Sequence, residues 1–186
     1  RRWYVDQPNQ RRLVPQLLAN GHHVRVLARH PEKLRDIPWV DDVEVFAGDA
    51  SDAASVRAAM EGMDVAYYLL HSLQEGPQLE VAERGIATVF ADAARGSGLR
   101  RLVYLGGLAP QIDESAMSAH MRSRVEVGSV LRSSGVPTAE FRAAVIIGSG
   151  SASFELLRHL TERLPVMITP RWVGARCQPI GIRDVL

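Results

Sequence analysis

The sequence predicts a doubly wound α/β domain built on a mostly parallel sheet. Three observations predict it. Short apolar runs alternate with helical patterns along the chain. The runs Val65-Ala66-Tyr67-Tyr68-Leu69-Leu70 and Leu102-Val103-Tyr104-Leu105 are continuously apolar, as strands covered on both faces are. The connections carry helix punctuation, with Asn20-Gly21, Gly96, Gly98 and Gly135 as stop signals and Ser51 or Asp52 as an N-cap.

The elements follow in order. Trp3-Tyr4-Val5 is a short first strand. Leu13, Val14, Leu17 and Leu18 form an apolar helical stripe closed by Asn20-Gly21. Val24-Arg25-Val26-Leu27-Ala28 and Val43-Glu44-Val45-Phe46-Ala47 read as the second and third strands, the latter followed by Gly48-Asp49 and a helix from Asp52 to Met60. Val65–Leu70 is the fourth strand. The helix after it, Leu79–Arg95, carries Ala82, Ile86, Val89, Phe90 and Ala93 on one stripe. Leu102–Leu105 is the fifth strand, His120–Arg132 a helix, Ala143–Ile147 the sixth strand and Phe154–Arg163 a last helix. Residues 1–186 are thereby read as a single domain. Its first strand and loop are atypical, and its C-terminal part is cut short, because a helix is only starting at Asp184-Val185-Leu186.

Composition excludes several function classes. A chain with 46% hydrophobic and 23% charged residues is globular rather than disordered. A net charge of +1 without clustering argues against nucleic acid as a partner. No apolar stretch approaches the ~20 residues that cross a bilayer, so no membrane partner is expected. The start, Arg1-Arg2-Trp3-Tyr4, lacks the apolar core of a signal peptide. Cys177 is the only cysteine, which rules out an internal disulfide, disfavours a metal site and fits a reducing, cytoplasmic setting. Of the 22 basic residues only Lys33 is lysine, so nearly every mechanism that needs a lysine is removed.

In open parallel sheets, ligands sit beyond the carboxyl ends of the strands. The candidates are therefore Arg29-His30, Asp49-Ala50, His71-Ser72, Gly106-Gly107 and Gly148–Ser153. A dinucleotide site ordinarily opens with glycines after the first strand, where the backbone must approach a pyrophosphate. Residues 2–12 hold no glycine, which argues against intact cofactor binding. Gly148-Ser149-Gly150-Ser151-Ala152-Ser153 approximates such a loop, but Ser153 replaces the last glycine and no acid stands about 20 residues on. The loop is equally a lining for a substrate pocket.

Arg29 stands where an acid would accept from a ribose 2′-hydroxyl, and arginine instead suits a 2′-phosphate. NADP is thus preferred, with NAD as the alternative, although a basic turn in an arginine-rich chain needs no ligand. Asp49 has the reach to meet an adenine amino group or to cap the next helix. His120 and Arg124 lie four apart and share a helix face with Val127 and Leu131. They are candidates for polarising a carbonyl and orienting a ribose, or for a polar edge paired with Glu126.

These segments together resemble the atypical short-chain dehydrogenases/reductases, the NmrA-like and epimerase-like proteins, over about Leu13–Leu186. The resemblance is carried by Leu13–His22, Val24–Arg29, Gly48-Asp49, Ala66–Ser72 and Leu102–Leu108, while Ser151–Glu155 and Leu164–Trp172 look like a bacterial subgroup with a second domain. It implies a Rossmann-like NAD(P)-binding domain with Arg29 near the 2′-phosphate. It places Asp49 and Ala50 at adenine, Leu70 and His71 over the adenosine ribose, and Gly106 and Gly107 beside the nicotinamide. The family's Tyr-x-x-x-Lys pair is missing: Pro8, His71, Ser72 and Leu108 lie four residues after the tyrosines. His120-x-x-x-Arg124 stands in the corresponding place and Gly106 in that of the upstream serine. The implied activity is hydride transfer to a small carbonyl compound with His120 as proton donor. The alternatives are an NADP-sensing domain without turnover and a degenerate copy that binds nothing.

Overall fold

A computed structural model describes residues 2–4, 10–70, 78–108, 113, 117–148, 152–163 and 178–186. The chain forms two compact units, residues 1–142 and 143–186. The first contains strands β1 (Arg2–Tyr4), β2 (Val24–Ala28), β3 (Glu44–Ala47), β4 (Val65–Tyr68) and β5 (Arg101–Gly107), and most of β6 (Thr138–Ala143). Its helices are α1 (Gln10–Ala19), α2 (Ala53–Met60), α3 (Gln78–Ala94) and α4 (Ala119–Arg132). The sheet order is β3-β2-β1-β4-β5-β6, the dinucleotide-binding order with its switch point between β1 and β4. The four pairings that join β1 to β5 are all parallel. This is the doubly wound sheet that the sequence predicts.

Strand periodicity sorts the side chains into two cores, one on each face. Leu27 of β2, Ala66 and Tyr68 of β4, and Leu102 and Tyr104 of β5 pack with Val56 and Met60 of α2, Phe90 of α3, and Val127 and Leu131 of α4. The alternate residues Val24, Val26 and Ala28 pack with Val14 and Leu17 of α1 and with Leu34, Ile37 and Trp39. Phe90 and Tyr104 meet the ring of Tyr68 edge-on, at centroid distances of 5.0 and 5.9 Å.

The turns use the anticipated chemistry. Asp52 caps α2 by accepting from Ser55 N at 2.9 Å and Ala54 N at 3.4 Å. Gly21 ends α1 with φ +74°, while the amides of Gly21 and His22 donate to Leu18 and Leu17 carbonyls. Arg25, on the α2 face, closes the other end of that helix: its Nη1 donates to the Ala59 and Glu61 carbonyls at 2.9 and 3.0 Å. Glu44 Oε2 approaches Arg25 Nε at 2.9 Å but off the N–H direction, so this is an ion pair without a hydrogen bond.

One strand differs from the reading above. Thr138-Ala139-Glu140-Phe141-Arg142-Ala143 forms β6 at the sheet edge, and the run read as the sixth strand is reduced to β7 (Val145–Ile147). β7 belongs to the second unit and pairs in parallel with β8 (Pro179–Gly181), alongside α5 (Ala152–Arg163) and α6 (Ile182–Val185). The edge strand was hidden because it alternates polar residues and leaves Phe141 59% exposed.

Candidate functional site

Parallel strands bring the ends of β2 and β3 side by side. Ala28 pairs with Ala47, and Gly48 N donates to Ala28 O at 3.1 Å, so the residues that follow emerge together. Gly48 is required there: a Cβ would fall 2.9 Å from both Leu27 Cδ1 and Ser55 Cβ. Arg29 and Asp49 are thereby placed next to each other, with Nη1 3.8 Å from Oδ2 and both side chains exposed. Asp49 Oδ1 accepts from Ser51 N and Ser51 Oγ, each at 2.8 Å. The Ser51 amide, the Ser51 hydroxyl and the Arg29 guanidinium hold this carboxyl below the usual range. Asp52, not Asp49, caps α2, so Asp49 presents an ionised carboxylate outside the helix. Ala50, by contrast, turns its methyl into the core.

This donor set suits the adenosine end of a dinucleotide. An exposed guanidinium matches a phosphomonoester and the adjacent carboxylate matches an exocyclic amine. Leu70, two residues past β4, is partly buried against the same core. His71 lies outside the described residues, as do residues 5–9 of the first loop and 149–151 of the Gly148–Ser153 loop.

At β5 the structure adds what the sequence did not show. Gly106 and Gly107 are the last two residues of the strand rather than a loop beyond it. A Cβ on Gly106 would stand 2.9 Å from Tyr104 Cε1 and 3.4 Å from Glu140 Oε1. The Tyr104 ring thus fills the place where a serine side chain would project. Burial pushes the Tyr104 phenol up to about 12, although Arg124 pulls it down. Tyr104 Oη donates to the Arg124 carbonyl at 3.0 Å. Tyr68 is raised further, by burial and by the Glu83 carboxylate.

His120 and Arg124 have opposite environments. His120 lies in the first turn of α4, after the Ser118 cap, and is exposed. Arg124 is buried with Val127 and Leu131, its side chain 7% exposed, and its Nη2 is 4.0 Å from Oε1 of the equally buried Glu83 on α3. Ser123 Oγ donates to the other oxygen of Glu83. Glu126 pairs with Arg84, at 3.2 Å, rather than with His120 or Arg124. Glu83 and Ser123 were missed by sequence reasoning. The signal was present: Glu83 stands on the α3 stripe with Ile86, Ala87 and Phe90, a carboxylate at an apolar position. Among the described residues no cluster of His, Cys, Asp and Glu could hold a metal ion. No described helix is long and apolar enough to cross a membrane.

Comparison with known proteins gives this arrangement its class. Residues 11–143 match the NAD(P)H-binding family model, and the chain belongs to that family. Its match leaves out residues 1–10, most of the stretch that lacks glycine. The chain is 30% identical over 165 residues to a (4-alkanoyl-5-oxo-2,5-dihydrofuran-3-yl)methyl phosphate reductase of Streptomyces griseus, an alignment covering 85% of this chain and 54% of the reductase. The chain therefore spans about half the length of that curated relative. Among solved structures, the fold is similar to Citrobacter sp. triphenylmethane reductase complexed with NADP(H), with TM-score 0.67 and 18% identity over 87% of this chain and 54% of that one. It is also similar to the Bordetella bronchiseptica enzyme WbmH in complex with NAD+, with TM-score 0.70 and 16% identity over 99% and 69% of the two chains. The fold is thus the Rossmann-like NAD(P)-binding fold of the reductase and epimerase type.

Proposed function

We propose that the chain is the cofactor-binding part of an NADP-preferring oxidoreductase that reduces a small carbonyl compound. The observation that carries this reading is the juxtaposition of Arg29 and Asp49 at neighbouring strand ends, in a chain of the NAD(P)H-binding family. Arg29 binds the 2′-phosphate. Asp49 accepts from the adenine amine, and the buried methyl of Ala50 fixes the turn that aims it. Leu70 and His71 cover the adenosine ribose. Gly106, whose missing side chain makes way for the Tyr104 ring, lets the end of β5 lie beside the nicotinamide, and Gly107 carries no side chain to obstruct it there. The bound cofactor supplies a hydride. His120, exposed at the start of α4, donates the proton to the substrate oxygen, and Arg124 orients the ribose. The glycine-free first stretch makes the overall affinity weak.

A second reading, an NADP sensor without turnover, is favoured by the burial of Arg124 against Glu83 and by the lack of a Tyr-x-x-x-Lys pair. Loss of nicotinamide absorbance with a panel of small aldehydes and ketones separates the two. Steady oxidation of NADPH supports the reductase. Binding of NADPH without oxidation by any of them supports the sensor.

A further inference from the structure

Where the ends of β2 and β3 meet, the two charges differ in how firmly they are held. The amide and hydroxyl of Ser51 both donate to Asp49 Oδ1 at 2.8 Å, so the carboxylate is pinned. Its other oxygen, Oδ2, is 3.8 Å from Arg29 Nη1. Asp52 is turned instead to the amides at the start of α2. Arg29 has a flexible stem and a side chain 71% exposed. The cation is therefore the partner that moves and the anion the one that stays.

This asymmetry bears on the two cofactors differently. A ligand without a phosphate on the adenosine ribose leaves the pair as it is. A 2′-phosphate carries close to two negative charges at neutral pH, and it must draw the guanidinium from a carboxylate that cannot follow. Once bound on Arg29, it stands within a Debye length of that carboxylate and is repelled by it.

We propose that Asp49 is a specificity-determining residue: its carboxylate damps the NADP preference that Arg29 confers and so keeps the site open to NAD(H). This rests on the cofactor reading above and adds to it a fixed charge that sets the size of the preference. An arginine with no acid beside it would select the 2′-phosphate more strongly.

The test uses two probes that differ only in the group concerned. 2′,5′-ADP and 5′-AMP share adenine, ribose and 5′-phosphate, and only the first carries a 2′-phosphate. Dissociation constants are measured by ligand-observed NMR at low, fixed ionic strength and about pH 7.5, where a phosphomonoester is mostly dianionic. The proteins are the unaltered chain, Asp49→Asn, Arg29→Ala and the double variant. Asparagine keeps an oxygen for the Ser51 donors and the adenine amine but removes the charge. Any loss at the amine is common to both probes and cancels in the ratio of their constants. Asp49→Asn is expected to raise the preference for 2′,5′-ADP about 2–5-fold, the factor that matches an exposed ion pair. Asp49→Ser removes the same charge with a smaller side chain and is expected to move the ratio the same way. In the Arg29→Ala background the gain is expected to be smaller, because the pair is gone and only the longer-range repulsion remains. A gain as large without Arg29 overturns the proposal. So does a reduced preference in Asp49→Asn, which would mean that the carboxylate presents Arg29 to the phosphate. If the unaltered chain prefers 2′,5′-ADP and neither substitution of Asp49 changes that preference, the cofactor reading stands and this proposal alone falls. Failure of the unaltered chain to bind either probe overturns the cofactor reading itself, and this proposal with it.

Discussion

Replacing Arg29 by alanine isolates the proposed cofactor preference. The side chain is 71% exposed, and the partner the structure gives it is Asp49, 40% exposed and 3.8 Å away. An exposed pair of this kind contributes about 0–1 kcal/mol, so Arg29→Ala should change stability by no more than ~1 kcal/mol. A charge-assisted contact to a 2′-phosphate contributes about 1.5–3 kcal/mol. Giving up the pair with Asp49 to engage the phosphate takes back up to ~1 kcal/mol. The net is about 0.5–3 kcal/mol, a factor of roughly 2–150 in affinity. NADPH should weaken by that factor and NADH hardly at all, since its ribose carries no phosphate. Titrations of both cofactors at fixed, low ionic strength measure this, because salt screens the exposed charge. Equal loss for the two cofactors, or none for NADPH, would refute the assignment of Arg29.

Three further outcomes follow from the same geometry. Gly106→Ser forces a Cβ to 2.9 Å from the buried Tyr104 ring, and chemical denaturation should show a loss of about 1–3 kcal/mol, the cost of overpacking; a neutral variant would mean that the ring yields freely. Asp49 and Asp52 are both depressed by their serine partners, Ser51 and Ser55 respectively. Their stabilisation is therefore complete above the ordinary carboxylate range of about 4 and is lost as pH falls through their lower folded values. The melting temperature should drop on acidification, and Asp49→Asn with Asp52→Asn should flatten that slope; an unchanged slope would contradict the assignment. His120→Gln keeps a hydrogen-bond donor but cannot give up a proton, so it should cost about 10²–10⁴-fold in turnover. An intact rate would eliminate His120 as the proton donor.

The sheet was legible because its strands advertise burial on both faces. Ala66 and Tyr68 face one core while Tyr67 and Leu69 face the other, and a continuous apolar run is what that demands. β6 was not legible because its inward-pointing Glu140 is satisfied by Arg132 and Arg142, partners that no local pattern announces. The neighbourhood of Arg29 and Asp49, the proposed adenosine end, was readable as far as residue type goes: both follow strands, and the parallel ladder brings strand ends together. Their direct pairing, and the division of labour between Asp49 and Asp52, needed the serine positions in space. At the other end the helical spacing puts Arg124 on a face with Val127 and Leu131, and all three are buried. What it could not give was the partner, since Glu83 comes from another helix.

The central claim is that NADP(H) lies across the carboxyl ends of the strands, from Arg29 to Gly107. Amide spectra of the labelled chain titrated with NADPH test it most directly. The account predicts weak, fast-exchanging binding that shifts Arg29, Asp49, Ala50, Gly106 and Gly107 together and saturates on one curve. The amino ends of the sheet, where His23, Arg25, Asp42, Glu44 and Met63 line a separate depression, should stay still. Shifts confined to those amino-end residues, or none at all up to the solubility of the cofactor, would contradict it.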